Sequence, residues 1–259
     1  MKGAFASKGR ARLSRVCCAV ALLAPLTALA DPADFGNAGA VSGSVYLTPE
    51  TLALQEDDFL NPAMFWVEEG ERLFTADCAA CHQGGLAGVA ATFPKVVDGA
   101  LRGIEAQINA CRTDHLAQAP LDYDSDALIA LSAYIGHLSR GLPQNPDISD
   151  PVASDALARG QSYFQTRRGQ MDLSCADCHD RAVGKHLRAE TITQGQVNGF
   201  PLYRQQWQDM GTVQRVFAWC NTNIRAEPLA YDDPDYVALE LYLRWRGRGL
   251  PLETPAIRR

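Results

Sequence analysis

The chain has 259 residues, with 24 Lys and Arg against 30 Asp and Glu and a formal charge of −6. That acidic balance argues against a nucleic-acid binder. The length suits two small domains.

Lys2, Lys8, Arg10, Arg12 and Arg15 precede an apolar run from Val16 to Leu29, and Ala28-Leu29-Ala30 is a small-residue cleavage site. This reads as a signal peptide over residues 1–30, cut after Ala30, which sends the protein to the periplasm. The apolar run is too short to span a bilayer comfortably, and Pro25 interrupts it. Cys17 and Cys18 leave with the leader. The mature chain then keeps 19 basic against 30 acidic residues, and no later segment is a membrane-span candidate. Residues 31–62 have little periodicity and many turn formers, and read as an extended arm.

Residues 63–143 form the first expected domain. Trp66, Gly70, Leu73 and Phe74 share one helical face. Cys78, Cys81 and His82 follow as Cys-x-x-Cys-His, the pattern that attaches haem through two thioethers and offers the next His as an iron ligand. Leu128, Leu131, Tyr134, Ile135 and Leu138 recur at helical spacing, with cap candidates at 124–126. Three prolines (Pro143, Pro146, Pro151) mark a linker, 144–153.

Residues 154–259 repeat the unit. Cys175, Cys178 and His179 form a second Cys-x-x-Cys-His. Gly70…Phe74 is matched by Gly160…Phe164, Phe93-Pro94 by Phe200-Pro201, and Cys111 by Cys220. Each half closes on Arg-Gly-Leu-Pro, at 140–143 and 248–251. Two ordered copies mean a duplicated domain, not a solenoid. Tyr236 to Trp245 is apolar nearly all round, which predicts a buried helix. The layout resembles cytochrome c: a first helix, the attachment turn, a distal-ligand loop and a last helix that crosses the first. The expected fold is mainly α, two tandem cytochrome c-like domains with an N-terminal arm, holding two covalently bound haem c groups.

Six cysteines remain after the leader. A disulfide framework and zinc, with Cys111 or Cys220 as a fourth ligand, are the competing readings. Two His residues placed directly after the paired cysteines favour haem, with His82 and His179 as proximal ligands. For the sixth position, Met64 and Met171 lie before their motifs. Met210 has no counterpart in the first half and reads as packing. His115, His137 and His186 have no equivalents either. Cys111 and Cys220 are the pair kept in register, and thiolate is a strong donor to ferric iron. A Cys111–Cys220 disulfide is the weaker alternative.

Around Cys220 the chain reads Trp219-Cys220-Asn221-Thr222-Asn223-Ile224-Arg225-Ala226-Glu227-Pro228. With the two haem motifs and a distal-loop Cys in each half, it closely resembles the A subunits of SoxAX complexes, the L-cysteine S-thiosulfotransferases, from about Trp66 to Pro251. The resemblance implies a heterodimer with a monohaem SoxX-type cytochrome c. It implies oxidative joining of thiosulfate to a cysteine of a SoxYZ-type carrier, with electrons leaving through haem. It also implies Cys220 as the catalytic residue, able to carry a persulfide. An Arg four residues before that Cys is usual in the family, and here Val216 stands there. Arg215 and Arg225 are the substrate-binding candidates left. Two rivals are a dihaem thiosulfate dehydrogenase that forms tetrathionate and a non-enzymatic electron-transfer cytochrome.

Overall fold

The structure, a computed structural model, describes residues 39–259 and two isolated positions at the N terminus. The expected leader, its cleavage point, Cys17 and Cys18 lie outside the described residues.

The arm is less extended than expected. A 3-10 turn at Gly43–Tyr46 leads to α1 (Pro49–Glu56), capped by Thr48 with Pro49 at its first position. Pro there costs nothing, because that N–H has no partner in a helix anyway. Polar contacts tie the arm to the chain's end. Gln55 Oε1 accepts from the Ile257 N–H at 3.0 Å, and Asn61 Nδ2 donates to the Pro255 carbonyl at 3.1 Å.

Each half is built on one helix pair. In the first, α2 (Met64–Asp77) crosses α4 (Asp126–His137), with α3 (Ile104–Leu116) between them in the chain. In the second, α5 (Pro151–Gln165) crosses α8 (Pro234–Arg246). The short α6 (Cys175–His179) and α7 (Val213–Asn223) lie between these in sequence. Val67, Gly70 and Phe74 form the buried face of α2, while Trp66 and Leu73 sit half-buried at its edge. Ser125 caps α4, inside the expected window. The crossings need glycine. A Cβ on Gly70 would sit on the Ala130 carbonyl, and one on Gly160 on the Ala238 carbonyl. Neither backbone can retreat without parting the helices. The all-round apolar helix is buried as expected, from Tyr236 to Arg244.

Small sheets complete the halves. After Phe93-Pro94 comes an antiparallel hairpin, β1 (Lys95–Val97) and β2 (Ala100–Arg102). A small hairpin, β3 (His186–Leu187) and β4 (Glu190–Thr191), follows α6. After Phe200-Pro201 comes β5 (Leu202–Arg204) with β6 (Asp209–Gly211), and β7 (Ala256–Arg258) adds to β5 in parallel.

The halves join around a local two-fold relation. The two Arg-Gly-Leu-Pro tetrads meet antiparallel at Pro143 and Pro251. Gly141 N–H donates to the Leu252 carbonyl at 2.8 Å, and its counterpart Gly249 donates to Gln144 at 2.9 Å. Leu252 donates to Leu142 and Gln144 to Leu250, both at 2.9 Å. Leu252 itself is buried in the core of the first half. The described residues from 39 to 259 therefore form one compact unit.

Candidate functional site

In the first half, α2 runs straight into the attachment turn. The Cys78 N–H closes on the Phe74 carbonyl, and His82 N–H bonds back to Cys78 at 3.0 Å. Cys111 lies on α3, close enough to Cys78 to add to the rise that burial imposes on that thiol. One turn earlier, Gln107 Nε2 donates to Cys111 Sγ at 3.4 Å.

The second half is more elaborate. Ser174 caps α6 in a capping box with Asp177, which fixes the start of the Cys-x-x-Cys-His turn. His179 Nδ1 lies 2.8 Å from the Thr193 carbonyl. A carbonyl only accepts, so Nδ1 carries the proton and Nε2 keeps its lone pair. Burial holds the His179 pKa below its ordinary value, so the ring is neutral. Both properties suit an imidazole ligand oriented by its other nitrogen. Gly195 (φ 70°) lets the chain pass the ring, since a Cβ there would lie 2.9 Å from His179 Cγ.

Cys220 stands on α7, whose N-cap is Thr212. Its neighbour Asn221 is buried and donates to the Tyr163 hydroxyl at 3.0 Å and the Tyr236 hydroxyl at 2.7 Å. These bonds pin the helix rotation that aims Cys220. Burial pushes the Cys220 thiol up to about 12, with Cys175 and Cys178 adding to the rise and Arg204 opposing it. Each half thus brings its repeated cysteine within electrostatic reach of its Cys-x-x-Cys motif, Cys111 of Cys78 and Cys220 of Cys175 and Cys178.

The methionines and histidines go elsewhere. Met210 is fully buried with Ala63, Val67, Ile129 and Ala133, a packing role. Met171 is exposed, and Met64 lies by Arg140. His115 and His186 are exposed, and His137 is half-buried at the end of α4. The six described cysteines are all free, so no Cys111–Cys220 disulfide forms. Among the described residues no three His, Cys, Asp or Glu side chains gather closely enough to hold a bare ion. Tetrahedral zinc needs such a cluster. A macrocycle that two thiols of the chain would hold covalently does not. The donor set fits haem c, with Cys175, Cys178 and His179 to hold it in the second half and Cys78, Cys81 and His82 in the first.

The two expected substrate arginines differ. Arg215 is already occupied: Nη1 donates to Asp209 at 2.9 Å and to the Met210 carbonyl at 2.7 Å, and Nε faces Asp124 at 3.7 Å. Those contacts make it a brace between α7, β6 and the first half. Arg225 is exposed and lines a cavity of about 490 Å³ with Arg168, Tyr163 and Glu227. Three residues were not expected from sequence: Thr193, Asn221 and Arg204. Each acts through a contact distant in the chain. Only Asn221, beside Cys220, carried a signal, as part of the Cys-Asn run.

Fold and paired sites define a tandem c-type cytochrome. A family model described as SoxA/TsdA, cytochrome c domain, matches residues 65–144 and 159–252. L-cysteine S-thiosulfotransferase subunit SoxA of Pseudaminobacter salicylatoxidans is 38% identical over 231 residues, covering 84% of this chain and 80% of that protein. The subunit of the same name from Rhodovulum sulfidophilum is 38% identical, covering 84% and 79%. The crystal structure of SoxXA from P. pantotrophus contains a chain of 36% identity and TM-score 0.81, with 85% of this chain and 87% of that chain covered. The chain belongs to the SoxA family of cytochromes c.

Proposed function

We propose that this protein is the SoxA-type subunit of an L-cysteine S-thiosulfotransferase that oxidatively joins thiosulfate to a cysteine of a SoxYZ-type carrier in the periplasm. It works as a heterodimer with a SoxX-type monohaem cytochrome and carries two haem c groups. Residues 63–143 and 154–259 are the two cytochrome units, and the second holds the active centre. His82 with Cys111, and His179 with Cys220, are the residues that would hold the iron of each haem. The observation that carries the reading is Cys220 set against Cys175 and Cys178 within electrostatic reach, in a chain whose relatives bear that enzyme's name.

Cys220 sulfur, or its persulfide, is the sulfur acceptor. It loses its proton and bonds to the sulfane sulfur of thiosulfate, and two electrons leave. Bound haem supplies the electron acceptor for that step. The carrier thiolate then attacks the same sulfane sulfur. The bond to Cys220 breaks, the carrier leaves as the thiosulfonate, and Cys220 returns as thiolate. Arg225, at the rim of the open cavity, meets the anion by charge-assisted hydrogen bonds.

Replacing Cys220 with Met should leave both haems attached and abolish conjugation. Turnover retained in that variant refutes the scheme. Tetrathionate formed without any carrier would instead favour the dehydrogenase reading.

A further inference from the structure

The two halves differ in the hairpin that follows each Phe-Pro pair. After Phe93-Pro94, two residues, Asp98 and Gly99, join β1 to β2. After Phe200-Pro201, four residues, Gln205 to Gln208, join β5 to β6. The longer turn brings in Trp207. The strand ends are equivalent: Val97 in the first half, Arg204 in the second.

Arg204 is only 6% exposed. Its Nη2 donates to both Glu190 carboxylate oxygens, at 2.9 and 3.2 Å. Its guanidinium lies 4.3 Å from the Trp219 ring centre and 5.2 Å from that of Trp207. Trp219 is the residue before Cys220, and Arg204 and Glu190 both act electrostatically on the Cys220 sulfur. One feature is left over. Arg204 Nε is buried and has no hydrogen-bond partner. A buried donor on a cation left without a partner is costly.

The first half shows what the second lacks. Gln107, one turn before Cys111, gives its N–H to that sulfur. The matching place before Cys220 is Val216, which has nothing to donate. A polar donor for whatever lies beside Cys220 has to come from another element, and Arg204 comes from β5. Arg215 is already shared among Asp209, Asp124 and Met210.

We propose that Arg204 is the oxyanion-holding residue of the Cys220 centre, its Nε–H donating to an oxygen of an anion enclosed there. Two anions have the right chemistry: the sulfonate of thiosulfate and a carboxylate of the haem in this half. Glu190 takes one edge of the guanidinium, and the two tryptophans fix its plane. The sulfonate arm rests on the reading of Cys220 as sulfur acceptor. The carboxylate arm does not.

The test uses the intact heterodimer with both haems attached, comparing wild type with R204Q and R204K. Two quantities besides turnover are read. One is the affinity for sulfate, a non-reacting tetrahedral dianion, from its effect on the absorption spectrum. The other is the midpoint potential of the Cys220 haem relative to the Cys111 haem. If the sulfonate is the ligand, R204Q raises KM for thiosulfate and weakens sulfate binding about tenfold or more, with kcat changed far less and potentials unmoved. If the haem carboxylate is the ligand, KM and sulfate affinity hold while the potential difference and its pH dependence shift. R204K keeps the charge but loses the fixed Nε–H, so it moves the same readout in the same direction. It also decides the matter should R204Q fail to fold. A variant with both haems whose KM, sulfate affinity and potential difference all stay within twofold of wild type overturns the proposal. If Cys220→Met had kept its activity, sulfate affinity and the potential difference would still report on Arg204, so the two failures can be told apart.

Discussion

Tyr123 and Tyr231 hold the same place in their two halves, and their rings stack face to face, 6.4 Å apart and 6° from parallel. Each phenol faces the carboxylate next to the other tyrosine: after burial, Asp232 raises the pKa of Tyr123 and Asp124 that of Tyr231. Burial, with the facing Asp124, pushes Tyr231 up to about 12. The local two-fold axis therefore runs beside this pair. Removing one hydroxyl in Tyr231→Phe should cost about 1 kcal/mol, and Tyr123→Phe a similar amount. The double variant should lose less or more than the sum if the stack couples the two contacts, which a thermodynamic cycle from urea melts would measure.

The helix crossings give a second expectation. Gly70→Ala and Gly160→Ala each force a methyl onto a backbone carbonyl. Each should destabilise the protein by about 1–3 kcal/mol or more. Thermal melting followed by helical circular dichroism reads this directly. A loss below a few tenths of a kcal/mol in both would mean that the crossings are not as close as described.

Glycine 195 affords a local probe. Ala there meets the His179 ring and must hold φ near 70°, a strain of about 1–3 kcal/mol. Gly195→Ala should perturb the absorption and paramagnetic spectra of the second haem and spare the first. Cys111→Ser should do the reverse: shift the first haem's spectrum and leave most of the conjugation activity.

Between the halves, Glu105, Glu240 and Arg244 line a small, partly open cleft. Burial raises Glu240 to about 7, with Arg244 opposing the rise, and burial raises Glu105 as well. A carboxyl whose folded pKa exceeds its unfolded one binds its proton more tightly when folded. That contribution is complete below the unfolded value of 4.5 and is lost as pH rises through about 7. Urea midpoints should fall over that window, by up to about 3 kcal/mol in stability. In Glu240→Gln the slope should flatten. An unchanged slope would assign the pH effect to other groups.

Much of the plan was readable from residue spacing. The attachment motifs, the duplicated order, and the α2, α4 and α8 patterns are local signals, and helices with one apolar stripe announce themselves. The helix in the arm did not, because Leu52, Ala53 and Leu54 run consecutively and mark no face. Arg204 was invisible for a different reason. A three-residue strand has too few positions for a period, and what makes Arg204 notable is Glu190 in one direction and Trp219 in the other. Arg215 shows the converse: its place near Cys220 in sequence drew attention, yet Asp209 and Asp124 hold it as a brace. His179 stood out as a ligand candidate by its place in the motif, but its partner Thr193 did not, since a backbone carbonyl leaves no mark in the residue code.

The exchanged tetrads set a limit on how this chain can be simplified. Each closing segment finds its backbone partners on the other copy, and Leu252, from the far end, plugs the opposite interior. A cut at the linker would leave both fragments with open donors and a hole. A descendant that lost either Cys-x-x-Cys-His pair would therefore retain the polypeptide shell around it.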